Sequence, residues 1–179
     1  MRARLAALIA TFTSELVALD AEIAATLVQD DAWAEAAARL QTITGIGVIT
    51  TAWLLTATLN FTLCRSPEAL TAYAGLAPTP HQSGTSVRKR SAIGHTGHVR
   101  LRTVLYLASL SATQHHPAIK LFYDRLRGAG KSSKVARCAA ARKLLHIAWA
   151  VATKGQPFDP HYYARYQVGN VQHMEHVAV

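Results

Sequence analysis

Residues 41–64 carry no charged side chain. A stretch of that length has to leave water, either by crossing a membrane or by entering a folded core. The threonines scattered through it and Asn60 oppose a span, since each would need a partner in hydrocarbon. Gly45 and Gly47 break its first part, so it reads as two apolar segments joined by a tight turn, a buried helix pair. No run alternates apolar with polar residues like a half-buried strand, except Ser86–Ile93, which leaves room for a small hairpin. The chain therefore reads as all-α.

Other helices follow from spacing and caps. In residues 3–28, Ile9, Phe12, Leu16, Leu19 and Ile23 step by three and four, with Leu5, Leu8 and Leu27 on the same side. That is a long amphipathic helix with a coiled-coil-like seam, which suits a partner helix better than a face of its own domain. Asp30-Asp31 can cap a second helix that ends at "TGIG", and "VITTAWLLTATL" forms a third. Ser66 caps a short helix at Pro67, stopped by Gly75. After Gly97 a helix carries Leu101, Leu105, Ala108 and Ala112 in one row, with Arg102, Tyr106 and Ser109 away from it. Pro117 opens a helix through Arg127. Ser132 or Ser133 starts a long one to about Thr153, before Gly155, Pro157 and Pro160. The expected organisation is a coiled-coil-like segment over 1–39, a helical domain over 40–166 and a flexible tail over 167–179.

Charge is distributed unevenly. The chain carries +9 on 179 residues. Residues 1–64 hold three basic and six acidic residues, a net of −3, so the remainder holds 16 basic and four acidic, a net of +12. A polyanion partner, nucleic acid above all, belongs to that second part. Cys64 and Cys138 have neither disulfide nor zinc spacing, which fits a reduced, cytoplasmic setting. The histidines form no Cys/His cluster with metal-ligand spacing. The apolar run after Met1 is too short and too soon followed by Glu15, Asp20 and Glu22 for a signal peptide, and no membrane partner is expected.

Four constellations could carry function. In "LQTITGIGVITTAWLL", Gly45 and Gly47 flank Ile46, and the amides at the tip form a concavity suited to a phosphate. It resembles the helix-hairpin-helix of sequence-nonspecific DNA-binding proteins, with Thr44 where proline is usual; an ordinary helix turn reads equally well. In "PTPHQSGTSVRKRSAIG", Arg88, Lys89 and Arg90 with Gly84 can lie along a phosphate backbone, or simply be solvated. Ser83 has His81 nearby but no local Asp or Glu, so no hydrolase triad can be read there. In "GHVRLR", Arg100 and Arg102 project from a helix N-terminus and could share an anion. Arg142 stands in a helical row with Val135, Cys138, Leu145 and Trp149; it must find a carboxylate such as Asp124 or Asp159, a phosphate, or the surface.

The order of these pieces resembles the C-terminal domain of the DEDD-type insertion-sequence transposases, described as RNA-guided bridge recombinases. "LQTITGIGVITTAWLLTA", "ALTAYAGLAP", "SG", "GHVRLRTVLYLASLSA" and "ARKLLHIAWAVATKGQPFDP" carry it from about Leu40 to Tyr163, and the first helix looks like the coiled coil that precedes that domain. The resemblance implies that the "SG" serine, Ser83, attacks a DNA phosphodiester and holds the strand as a phosphoserine. It also implies a RuvC-like domain whose four acidic residues bind Mg2+, with the site completed between protomers and possible contact to a guide RNA. No carboxylate quartet of that kind is present in this sequence. His95 and His98 also stand where the family pattern has Lys and Asn.

The leading expectation is thus a DNA-binding, serine-bearing portion of a transposase, binding no metal of its own and inactive alone. It would self-associate, or pair with a full-length transposase, through the first helix. The alternatives are a truncated, non-catalytic DNA-binding or transposase-interacting protein and a basic RNA-binding protein.

Overall fold

The computed structural model describes residues 1–83, 87–93 and 96–162. Gly84, His95 and the tail expected over 167–179 lie outside them. Seven helices and one hairpin make up the described part: α1 (Arg2–Leu27), α2 (Asp31–Gln41), α3 (Val48–Thr58), α4 (Pro67–Tyr73), β1 (Pro78–Ser83), β2 (Val87–Ile93), α5 (Val99–His115), α6 (Pro117–Gly128) and α7 (Ser133–Lys154). The helical class holds, and among the described residues the one non-helical element is the hairpin, whose second strand lies in the stretch anticipated at Ser86–Ile93.

The caps are the ones the sequence offers. Asp30 accepts the Trp33 amide at 3.0 Å and Ser66 accepts the Ala69 amide at 3.1 Å. Ser132, rather than Ser133, caps α7. Each such bond satisfies a helix-end donor and contributes about 1 kcal/mol.

The core gathers around α7. Its buried side is small, with Ala136, Ala140, Ala141 and Ala148 beside Leu144, Leu145 and Val151. Short side chains let neighbouring helices come close. α5 packs there and buries Leu101, Leu105, Ala108 and Ala112, and α2, α4 and α6 also touch α7. Ser109 is buried too, contrary to the single-row reading; its hydroxyl donates to the Tyr106 carbonyl at 2.6 Å and so needs no other partner. The row proposed for Arg142 also drifts, because 3.6 residues per turn do not keep a 3.5-residue row on one side. Val135 is exposed, and Arg142 sits at the edge of the buried stripe, half-buried.

α1 behaves differently. Only its end joins the core, through Ile23 and Leu27. Ile9 and Phe12 remain 66% exposed and Leu16 62%, so the seam has no partner within the described residues.

After α3 the chain makes a feature the sequence does not announce. Leu59, Asn60 and Phe61 all have positive φ, between 47° and 64°. Side chains of this kind seldom adopt that region. The Asn60 amide bonded to the Leu55 carbonyl and the Phe61 amide bonded to Thr58 Oγ1 hold the turn, and Phe61 is buried.

His116 links α5 to α6 and is fully buried. Its Nδ1 accepts the Ile119 amide at 3.4 Å, which requires an unprotonated Nδ1, and its ring packs on Phe158 with centroids 4.7 Å apart. Burial holds its pKa below the ordinary histidine value of 6.5. Below that value the unfolded chain takes up a proton that the folded chain refuses, so stability is lost as pH falls through it. We expect the melting temperature to drop on acidification from about pH 7.5 to 5.5, and His116→Asn, which keeps a capping oxygen but does not titrate, to flatten that drop. An unchanged slope in thermal melts of this variant would remove His116 as the cause.

Candidate nucleic-acid interface

The hairpin that carries Ser83 stands on a close backbone contact. Gly75 (φ +68°) ends the turn after α4, and Gly97 (φ +92°) precedes α5. The two glycines touch. A Cβ on Gly97 would lie 2.6 Å from Gly75 Cα and 2.9 Å from the Tyr73 carbonyl oxygen, and one on Gly75 would collide with Thr96 and Arg102. Both positions therefore need glycine for backbone sign and for space. The His98 amide donates to the Tyr73 carbonyl at 2.7 Å.

Arg102 closes this clasp. Its Nη1 donates to the Thr96 carbonyl at 2.9 Å and to the Gly75 carbonyl at 3.4 Å, so one guanidinium ties the chain entering the hairpin to the chain leaving it. Arg100 is exposed on the first turn of α5. His98, flagged as a departure from the family pattern, caps α5: its Nδ1 accepts the Leu101 amide at 3.1 Å, as an asparagine oxygen would. Its ring packs between Trp53 and Tyr73.

Above the clasp, β1 and β2 run antiparallel, with Pro78 opposite Ile93, His81 opposite Lys89, Gln82 opposite Arg88 and Ser83 opposite Val87. By register, positions 81, 83, 87 and 89 share one face of the ladder and 82 and 88 the other. The register shifts between Thr79 and His81, so that Arg90 and Ser91 face Pro80 alone. Pro80 has no amide to give the ladder, which is a reason for a bulge at that point. Ser83 is the last residue of β1, next to the hairpin's end, and Arg88, Lys89 and Arg90 lie in β2.

The Gly45–Gly47 turn lies elsewhere. Gly45 (φ +100°) abuts α5, where an added Cβ would come 2.8 Å from the Ala112 Cβ; Ile46 plugs into the core. Gly47 caps α3 and is open to solvent. Ala112 is ten residues beyond Arg102 in α5, about 15 Å along its axis. The turn and the hairpin base are therefore at opposite ends of that helix.

Arg142 lies in α7. It lies one turn from Cys138, a thiol close enough to Arg102 to feel its charge. Asp124 is taken by Lys120 at 2.9 Å. One carboxylate that shares a field with Arg142 is Glu68, in the first turn of α4, together with His146, and Asp159 lines the same cleft. His146 Nε2 hydrogen-bonds Thr71 Oγ1 at 2.9 Å. Burial first, and the Arg142 charge second, push its pKa down. Arg142 and His146 line a cleft of about 780 Å³ with Phe122, Lys143 and Phe158. Sequence reasoning passed over Glu68, His146 and Phe122. The four-residue step from Arg142 to His146 was a usable signal; the approach of α4 and α6 was not visible in the chain.

Among the described residues, no three His, Cys, Asp or Glu side chains come together to hold a metal ion. They do not fit Mg2+, and no metal-dependent step is assigned to them. No described helix is long and apolar enough to cross a membrane.

The clasp makes a specific expectation. Gly97→Ala should destabilise the fold by at least ~2 kcal/mol, combining left-handed strain with a backbone collision. Gly130→Ala, at φ +76° but in open space, should cost only the strain, about 1 kcal/mol. Equal losses in chemical denaturation would show that the contact with Gly75 contributes nothing.

Comparison with known proteins gives this geometry a context. Residues 37–124 match the transposase IS116/IS110/IS902 family. The chain is 41% identical over 124 residues to the pilin gene-inverting protein of Moraxella bovis, an alignment covering 69% of this chain and 38% of that protein. It is 32% identical over 120 residues to an uncharacterised 43.6 kDa protein of insertion element IS110 from Streptomyces coelicolor, covering 67% and 29%. It is 31% identical over 166 residues to an uncharacterised 42 kDa protein of insertion element IS900 from Mycobacterium paratuberculosis, covering 87% and 40%. The chain thus spans well under half the length of these relatives. Within that span, the α2–α3 turn, α3, α4, the hairpin, α5 and most of α6 are the elements that match the transposase IS116/IS110/IS902 family.

Proposed function

We propose that this chain is the DNA-binding, serine-bearing portion of a DEDD-type transposase or recombinase acting in DNA transposition. The observation that carries the reading is the position of Ser83. It ends β1, the following strand holds Arg88, Lys89 and Arg90, and this hairpin falls inside the family match. The name of the Moraxella relative, a gene-inverting protein, supports DNA rearrangement as the reaction class.

In the proposed step, Ser83 Oγ attacks a DNA phosphorus. A phosphoserine bond forms, the bond to one deoxyribose oxygen breaks, the serine proton leaves and the departing oxygen gains one. The basic strand and Arg100 hold the backbone, and Gly45 and Gly47 offer main-chain amides to a second phosphate. Arg102 acts by keeping the hairpin in place. The described residues provide no carboxylate cluster, so the step needs a metal-binding domain to complete the site, and a guide RNA would contact the complete assembly.

Incubation with site-bearing DNA, a RuvC-like domain supplied in trans and Mg2+ should give a covalent protein–DNA adduct. Ser83→Ala should abolish it while leaving DNA binding within about 2-fold, and peptide mapping should place the phosphate on Ser83 rather than Ser86. An adduct that persists in the variant would sink the assignment. Replacing Arg88, Lys89 and Arg90 with Gln should lower the slope of log affinity against log salt by about 2 to 3.

The exposed α1 seam favours a second reading, in which the chain associates with another copy or with a full-length transposase, with or without catalysis. Light scattering should show an oligomer that Phe12→Asp converts to monomer. A monomeric wild type would exclude this reading for self-association.

A further inference from the structure

The cleft beside Arg142 has a character that the hairpin reading does not use. Arg125, Arg142, Lys143 and Lys154 all line it, and Asp159 is the one carboxylate among its described lining residues. Lys143 Nζ lies 4.8 Å and Arg125 Cζ 5.4 Å from the centre of the Phe122 ring, so the two charges are at most about 10 Å apart. That bound is about one Debye length at ~0.1 M salt. Lys154 Nζ stands 5.9 Å from the centre of the Tyr162 ring. With Asp159 in the cleft and Glu68 near Arg142 offsetting two charges, a surplus of about two remains beside largely apolar walls. An anion would relieve it. The volume, about 780 Å³, lies in the range of small-ligand pockets.

We propose that this cleft binds one unpaired nucleotide of a nucleic-acid strand, its base on the apolar floor at Phe122 and its phosphate among Arg125, Arg142, Lys143 and Lys154. Aromatic rings with interleaved cations are the combination that holds unpaired bases and their backbone together. A base still stacked inside a duplex cannot enter a concavity of this kind. The proposal rests on the reading that the chain acts on nucleic acid, but not on the role of Ser83.

The test uses the intact chain and fluorescence anisotropy with three labelled probes: a ten-nucleotide single-stranded DNA, the RNA of the same sequence, and a DNA duplex whose ends are closed by hairpins. Phe122→Leu and Lys154→Gln should each weaken binding of a single strand by about 5-fold or more and leave duplex affinity within about 2-fold. The responding arm, DNA or RNA, names the source of the nucleotide. A single strand carrying 5-iodouracil should crosslink to the cleft at Phe122 or Tyr162. Thermal melts confirm that each variant is folded, and the exposed Lys154 position keeps the test available if Phe122→Leu is unstable. Equal losses on single strand and duplex, no loss on either, or competition by polyglutamate as strong as by oligonucleotide of equal charge would each overturn the proposal. Duplex binding with an unresponsive single strand removes this cleft alone, whereas no binding to any probe removes the broader nucleic-acid reading with it.

Discussion

The close approach of α5 to α7 is the contact on which the other elements depend. α7 turns alanines inward, and α5 answers with leucines and two alanines of its own. Small side chains on both helices allow a short interaxial distance, and the interior is then filled by Leu144, Leu145, Leu101 and Leu105, all fully buried. Enlarging any of those alanines would overpack the interface, typically at a cost of about 1–3 kcal/mol. Because α2, α4 and α6 also rest on α7, a shift there would reach every other part of the domain.

The hairpin base is an outgrowth of that frame. α5 positions Arg102 and His98, and α4 delivers Tyr73 and Gly75; the clasp forms where those two elements meet. A hairpin of two strands is marginal on its own. Here its two ends are joined through one guanidinium and a glycine–glycine contact, and Ile93 packs against the core. A catalytic serine on such an element would gain a defined starting position from the clasp. It would still owe its proton acceptor and its phosphate activation to groups beyond the described residues.

Much of the frame was legible in the chain. Asp30, Ser66 and Ser132 cap where their spacing indicated, Pro67 and Pro117 open helices, and Gly75 and Gly155 end them in the left-handed region. The α1 seam was read as seeking a partner; its residues are exposed along most of the helix, and no described residue covers them. What escaped was every feature made by distant segments. Arg102 reads from sequence as a phosphate contact, and the bonds from its Nη1 to carbonyls before and after the hairpin could not be read there. The left-handed turn at Leu59–Phe61 has no glycine to announce it. Arg142 looked like part of an apolar row, whereas the drift of the helix puts it at a cleft edge beside Glu68 and His146.

The sequence by itself determined the helical class, the caps, the basic second part and the place of Ser83 between two glycine-marked turns, since all of these depend on periodicity, local hydrogen bonding and composition. Only the tertiary structure decided which cations are occupied by backbone carbonyls, which gather at one cleft and which seam is left uncovered. Those outcomes depend on helix packing, where residues far apart in the chain share a few ångströms of space and one electric field.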